Sequence, residues 1–247
     1  MIKYIILGIV QGLTEFLPVS SSGHLVVLQK LFGIQANQVA ISVVLHLGTL
    51  LAIVIFFYKD ILSLFKNLRL LGLLIIVVVI TGIIGVLGKD FFESLFSSVK
   101  LVAAAWIFTG LMLLATKRLT QLDRDKFKIS DAIILGLTQA LAIIPGISRS
   151  GITISTLFFR KIQRSLAFSI SFLVSIPIIL GAALLESRNL ELIPAGEIKN
   201  LAAGFVFSFI TGLLALSILK LVIRKAKFYY FGYYCIIMAV ITLFFVK

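Results

Sequence analysis

Long apolar runs dominate the chain. Residues 39–58, VAISVVLHLGTLLAIVIFFY, and 70–88, LLGLLIIVVVITGIIGVLG, carry no acidic side chain and no lysine or arginine. About 20 such residues cross a hydrocarbon core of about 30 Å. The pattern predicts six full spans, at 38–58, 70–88, 99–116, 165–185, 201–223 and 229–246. Two further apolar regions, 2–31 and 130–159, are broken midway by Pro, Ser and Gly. Each reads either as one interrupted span or as a re-entrant hairpin of two half-helices.

Composition agrees with the pattern. Of 247 residues, 60% are hydrophobic and 13% charged, and the mean hydropathy is +1.16. A soluble domain averages about 45–50% apolar and about 25% charged. The N-terminal stretch lacks the run and cleavage pattern of a secretory leader, so no cleaved signal peptide is expected. Cys235 is the sole cysteine, which excludes intramolecular disulfides and cysteine-built metal sites. The net charge of +13 does not indicate a nucleic-acid partner. The basic residues sit in short loops between apolar spans, as beside anionic membrane lipids, and not on a basic stripe with interleaved aromatics.

Those loops also decide between span and hairpin. Loops 59–69, 117–129, 160–164 and 224–228 are basic, carrying among others Lys59, Arg124, Arg160 and Arg224. Connections 89–100 and 186–200 are richer in acids. The positive-inside rule places the first four in the cytoplasm and the other two outside. Region 130–159 therefore starts and ends on the cytoplasmic side, as a re-entrant hairpin does. Residues 32–37 fall outside, so if region 2–31 is also a hairpin, both chain termini are external.

The two broken regions are related copies. ILGIVQGLTEFLPVSSSGH at 6–24 and ILGLTQALAIIPGISRSGI at 134–152 align without a gap at an offset of 128. Gly8/Gly136, Gln11/Gln139, Ser20/Ser148, Ser22/Ser150 and Gly23/Gly151 are identical pairs. Each half reads as one hairpin followed by three spans, and an odd number of spans inverts the second copy. The predicted fold is an all-α polytopic membrane protein of one domain, residues 1–247. Its two inverted-topology repeats, 1–116 and 130–247, each hold a re-entrant helical hairpin plus three transmembrane helices. The hairpin tips then meet near the midplane.

The tips carry the candidate chemistry. Ser20–Ser21–Ser22–Gly23 and Ser148–Arg149–Ser150–Gly151 precede half-helices expected from about residues 23 and 151. Serine is a favoured N-cap, and helix N-termini offer free N–H groups and partial positive charge, which suits phosphate. The glycines let a ligand approach the backbone. Arg149 replaces Ser21 of the first copy, and a guanidinium in the membrane calls for an anionic partner. Glu15 stands where the second copy has Ile143, with Gln11 one turn earlier on the same helix face. His24 follows Gly23. Glu15 and His24 read as an acid/base pair or a metal-ligand set, and the attacking group as either Ser21, which one of them could activate, or a water activated by Glu15 or His24. Plainer readings stand beside these. The serines can simply cap helices or bond to backbone, Gln11 and Gln139 can bridge elements, Arg149–Glu15 can be a structural ion pair, and His46 reads as a packing residue.

QGLTEFLPVSSSGH (11–24) and PGISRSGITI (145–154) resemble the two signature motifs of the undecaprenyl-diphosphate phosphatase family of the bacitracin-resistance type. The likeness extends over essentially the whole chain in length, span order and motif spacing. It implies a hydrolase of the bacterial cytoplasmic membrane with its site open to the outer face. The substrate would be the C55 polyprenyl diphosphate, the product the monophosphate carrier used for cell-wall polymers, and the cofactor a divalent cation, magnesium or calcium. The family's acidic motif falls on Gln11 and Glu15, its serine/histidine motif on Ser20, Ser21, Ser22 and His24, and its arginine motif on Ser148, Arg149 and Ser150. The motif's first acidic position is an amide here, so Glu15 carries the base and metal-ligand roles, with Gln11 a weak ligand at most. The rival reading is a polyprenyl-phosphate transporter or flippase built on the same repeat.

Overall fold

The computed structural model describes residues 1–34, 37–95, 98–186 and 194–245. Parts of connections 32–37, 89–100 and 186–200, and the end of the sixth expected span, lie outside the described residues. The described chain is helical throughout, with no strand beyond a single bridge between Arg124 and Ile162. Among the described residues, five helices are long and apolar enough to cross a membrane. They are α3 (Gln38–Phe56), α5 (Leu68–Leu87), α7 (Val99–Ala115, extended by a 3-10 turn at Thr116–Arg118), α10 (Arg164–Leu185) and α11 (Ile198–Arg224). The sixth expected span is α12 (Tyr230–Phe245), of 16 residues. At 1.5 Å per residue it covers about 24 Å, less than a full hydrocarbon core. Short helices α4 (Tyr58–Leu64) and α6 (Lys89–Leu95) follow α3 and α5.

The two broken regions are hairpins. The first pairs α1 (Ile2–Phe16) with α2 (Ser21–Leu31), and the second α8 (Ile129–Ala140) with α9 (Arg149–Phe159). Proline sets each break, because the residue before it is driven out of the helical region. Leu17 before Pro18 and Ile144 before Pro145 are both extended, with ψ of 142° and 124°. The new half-helices begin at the serine caps. Ser20 Oγ accepts from Gly23 N at 3.3 Å and Ser148 Oγ from Gly151 N at 3.1 Å. The helices thus start at Ser21 and Arg149, two residues earlier than the sequence suggests, so these two residues lie in the first turns themselves.

Each hairpin is pinned where it begins and ends. Lys3 Nζ donates to Phe32 O at 2.8 Å. Positions 131 and 160, the counterparts of 3 and 32 at the repeat offset, hold Asp131 and Arg160, whose side chains pair at 2.8 Å. Arg124 adds a two-pronged contact to Asp131, at 2.7 and 2.8 Å, and donates to Arg160 O. Asp131 also caps α8, accepting from Lys128 N.

Pairing among helices follows the repeat. α1 packs on α11, and its counterpart α8 packs on α5; α7 packs on α12. The α1–α11 contact is close because glycines line it: a Cβ on Gly8 would collide with Gly204 O, and one on Gly12 with Thr211 and Ser208 O. Small residues at a membrane helix crossing let backbones approach this way. Large side chains then fill the space around the hairpins, with Trp106, Phe16 and Phe172 fully buried.

Gly12→Val is therefore expected to destabilise the protein by about 1–3 kcal/mol through overpacking, read as an earlier thermal unfolding transition in detergent. Asp131→Ala leaves two arginines facing each other at the hairpin base. The expected loss is about 2–3 kcal/mol, below that of a fully buried pair because the arginines keep some solvent. An unshifted transition for Asp131→Ala would remove the ion cluster from the hairpin's support.

Candidate active site

The two tips touch. A Cβ on Gly151 would stand 3.3 Å from Pro18 Cβ, and one on Gly23 3.4 Å from Gly146 Cα. Helix α7 holds both. Trp106 Nε1 donates to Val19 O at 2.8 Å. One turn on, Thr109 Oγ1 donates to Gly146 O and accepts from Ser148 N, both at 3.1 Å. Gly146 has φ +97°, and a Cβ there would strike Val102 O, so only glycine lets this tip close on α7. Ser20 also has a positive φ, 67°. That conformation is costly for a non-glycine residue, and it marks the first tip as the strained one.

Glu15 is the centre of the polar cluster. It lies in the last turn of α1, with 6% of its side chain exposed. Arg149 Nη2 donates to Glu15 Oε1 at 2.6 Å. Ser21 Oγ donates to Oε2 at 2.6 Å, and Gln11 Nε2 to the same oxygen at 3.2 Å. The carboxylate therefore joins the two hairpins, and it is the natural acceptor of the Ser21 proton. Arg149 lies with Cζ 5.7 Å from the Phe172 ring centroid. Its Nη1 is buried and has no hydrogen-bond partner, which leaves a donor for an incoming anion.

The remaining serines form matched pairs: Ser20 and Ser22 at 3.2 Å, Ser148 and Ser150 at 3.3 Å. They line the first turns of α2 and α9, whose leading amides lack intrahelical acceptors. Gly23 and Gly151 donate to the caps, as above. Gln139 is set apart. It donates to Thr81 on α5 at 3.1 Å, while Thr81 donates to Gly136 O at 3.1 Å, so it ties the second hairpin to a span rather than to the reacting groups.

His24 does not meet Glu15. Its Nδ1 lies 2.7 Å from Ser20 O, one turn back, and its Nε2 lies 2.7 Å from Tyr234 OH. A carbonyl partner makes Nδ1 the donor, and Nε2 then accepts from the tyrosine. The ring packs edge-on to Trp106 and stacks on Tyr234, with centroids at 5.1 and 5.8 Å. The first-turn position that put His24 beside the cap also aimed it at the cap's own carbonyl. The expected Glu15–His24 pair is thus not formed.

The imidazole beside Glu15 is that of His46. Its Nδ1 contacts Ser42 O at 2.7 Å, and its Nε2 stands 3.4 Å from Glu15 Oε2. The sequence reading set His46 aside as packing, although an ionisable group within an apolar span is itself a signal. Trp106 and Thr109, which hold the tips, gave no such signal.

A divalent cation would find few protein ligands. No group of three or more His, Cys, Asp or Glu able to hold a metal occurs among the described residues. Glu15 is the one carboxylate at the tips, and Gln11 Oε1 beside it is buried without a partner. That set suits a hard ion that takes most of its oxygens from a phosphorylated substrate and water.

Comparison with known proteins agrees with the motifs. Residues 4–241 match the family described as "Bacitracin resistance protein BacA". A protein of Halothermothrix orenii named "Undecaprenyl-diphosphatase" is 41% identical over 249 residues, covering 98% of this chain and 96% of its own. Another of the same name from Carboxydothermus hydrogenoformans is 43% identical, covering 97% and 95%, and one from Alkaliphilus metalliredigens 42%, covering 94% of each. With a match of this extent, the chain belongs to the bacitracin resistance protein BacA family.

Proposed function

We propose that the chain hydrolyses undecaprenyl diphosphate to undecaprenyl phosphate and inorganic phosphate, returning the lipid carrier to peptidoglycan and other cell-wall polymer synthesis and conferring bacitracin resistance. The observation that carries this reading is the Ser21–Glu15–Arg149 constellation at the meeting of two capped half-helices. Family membership and the relatives' shared name support the same activity. The protein would act in the bacterial cytoplasmic membrane, with the two repeats inverted and the site open to the outer face. The basic loops support that orientation.

The diphosphate would lie across the first turns of α2 and α9, where free amides and the serine hydroxyls donate to its oxygens. Arg149 would grip it through the unpartnered Nη1. The polyprenyl chain would run among the apolar spans toward lipid. Glu15 Oε2 takes the proton of Ser21 Oγ as that oxygen attacks the terminal phosphorus. The bridging P–O bond breaks, and undecaprenyl phosphate leaves. Once Glu15 has passed that proton to the departing undecaprenyl phosphate, it takes a proton from water, which attacks the serine phosphate, and returns it to Ser21 Oγ as inorganic phosphate leaves. Phosphoryl transfer depends mainly on positioning and charge stabilisation, which two helix ends and a guanidinium provide. Glu15 and the amide oxygen of Gln11 would hold the magnesium or calcium ion, which would neutralise charge on the diphosphate. In this reading His46 orients the carboxylate and His24 fixes the first tip. The transporter reading rests on the repeat alone, and the cluster around Glu15 gives it no specific support.

Phosphate release from undecaprenyl diphosphate in detergent tests the assignment. Glu15→Gln and Arg149→Ala are each expected to lower the rate roughly 100-fold or more. Near-normal rates in either would sink it. Ser21→Ala is expected to fall as far, and retained activity would move the attack to a water held by Glu15. Chelation is expected to abolish release, with recovery on adding back magnesium or calcium.

A further inference from the structure

A second polar feature lies at the far end of the second hairpin. Helix α9 carries Arg149 at its start and Phe158 near its end, about 13 Å apart along the axis. Beside Phe158 is a cavity of about 190 Å³. It is enclosed by the end of α7, the loop after it, the start of α10 and the end of α11. Leu119, Leu122, Ile223 and Phe228 form its apolar wall, and Lys117 and Arg164 are its charged groups. No carboxylate lines it.

The two cations are not neutralised. Neither Lys117 nor Arg164 makes an ion pair among the described residues. Lys117 rests with Nζ 5.4 Å from the Tyr229 ring centroid, a contact that leaves its charge available. Arg164 is the first residue of α10, a 22-residue helix whose cap residue Gln163 makes no side-chain capping bond.

We infer that this cavity binds the phosphate headgroup of an anionic membrane lipid. Two unpaired cations recognise the phosphate, and the apolar wall continues toward the acyl chains. Basic pockets between helices on the positively charged face of a membrane protein suit such headgroups. The site is separate from the tips, because none of the residues that line it belongs to either tip. It does not depend on the hydrolase reading.

The purified full chain in mild detergent, probed by native mass spectrometry with dioctanoyl phosphatidic acid, tests this. Wild-type protein is expected to retain the lipid, and dioctanoyl phosphatidylcholine far less. Lys117→Gln/Arg164→Gln is expected to weaken retention roughly 10-fold or more while leaving undecaprenyl diphosphate hydrolysis unchanged. Arg164→Lys, which keeps the charge, is expected to retain most binding. Arg149→Gln is expected to leave retention intact. Equal retention by wild type and the double variant would overturn the proposal, as would loss only in Arg149→Gln, which would place the lipid at the tips. Displacement by inorganic phosphate in excess would overturn the lipid as ligand in favour of a free anion.

Discussion

The Arg149–Glu15 ion pair is the constraint on which the rest of the molecule turns. A guanidinium and a carboxylate are both costly at membrane depth, and each is tolerable here because the other is 2.6 Å away. The pair also fixes where the two halves meet, since one partner ends α1 and the other begins α9. Breaking a buried pair by removing one member leaves an uncompensated charge. In the proposed reaction an incoming diphosphate would avoid that penalty by offering Arg149 a replacement anion. The ion pair thus holds the tips together, and in the proposed reaction it would yield one partner to substrate.

Irregular backbone at that depth must be satisfied by protein, and α7 supplies this for both tips. Trp106 takes the carbonyl of Val19 and Thr109 that of Gly146. Because the two donors lie one turn apart on a single helix, the tips are fixed relative to each other as well as to the core. The short Ser21–Glu15 contact is a product of this arrangement: it joins a residue beyond the break to one before it.

The architecture was legible because its signals are local and repeated. Pro18 and Pro145 break the helices, Ser20 and Ser148 cap the next ones, and the spacing of 128 residues ties the copies together. Five of six spans follow from apolar length alone. Partners contributed by other helices were less legible. His24 sits beside the serines in sequence but turns to Ser20 O and Tyr234, whereas His46 is distant in sequence and reaches Glu15 from α3. Motif proximity shows which residues share a turn. It does not show which side of that turn faces the neighbouring helix.

The repeat explains why such differences arise. His24 lies between Trp106 and Tyr234, residues that are themselves 128 apart. The same duplication that provides two serine-capped helix ends therefore also provides two aromatic walls, and the first copy's imidazole fills the space between them. At the hairpin bases the paired positions have diverged in chemistry but kept the contact. Lys3 reaches a carbonyl at Phe32, while Asp131 reaches the side chain of Arg160. An amine bonded to a carbonyl adds no acid to the first base, and the ion cluster at the second uses Asp131 to hold two arginines. Duplication fixed the backbone at both ends of each hairpin. Side-chain divergence could then separate a carboxylate and hydroxyl on one tip from a guanidinium on the other, without disturbing the scaffold that brings them into contact.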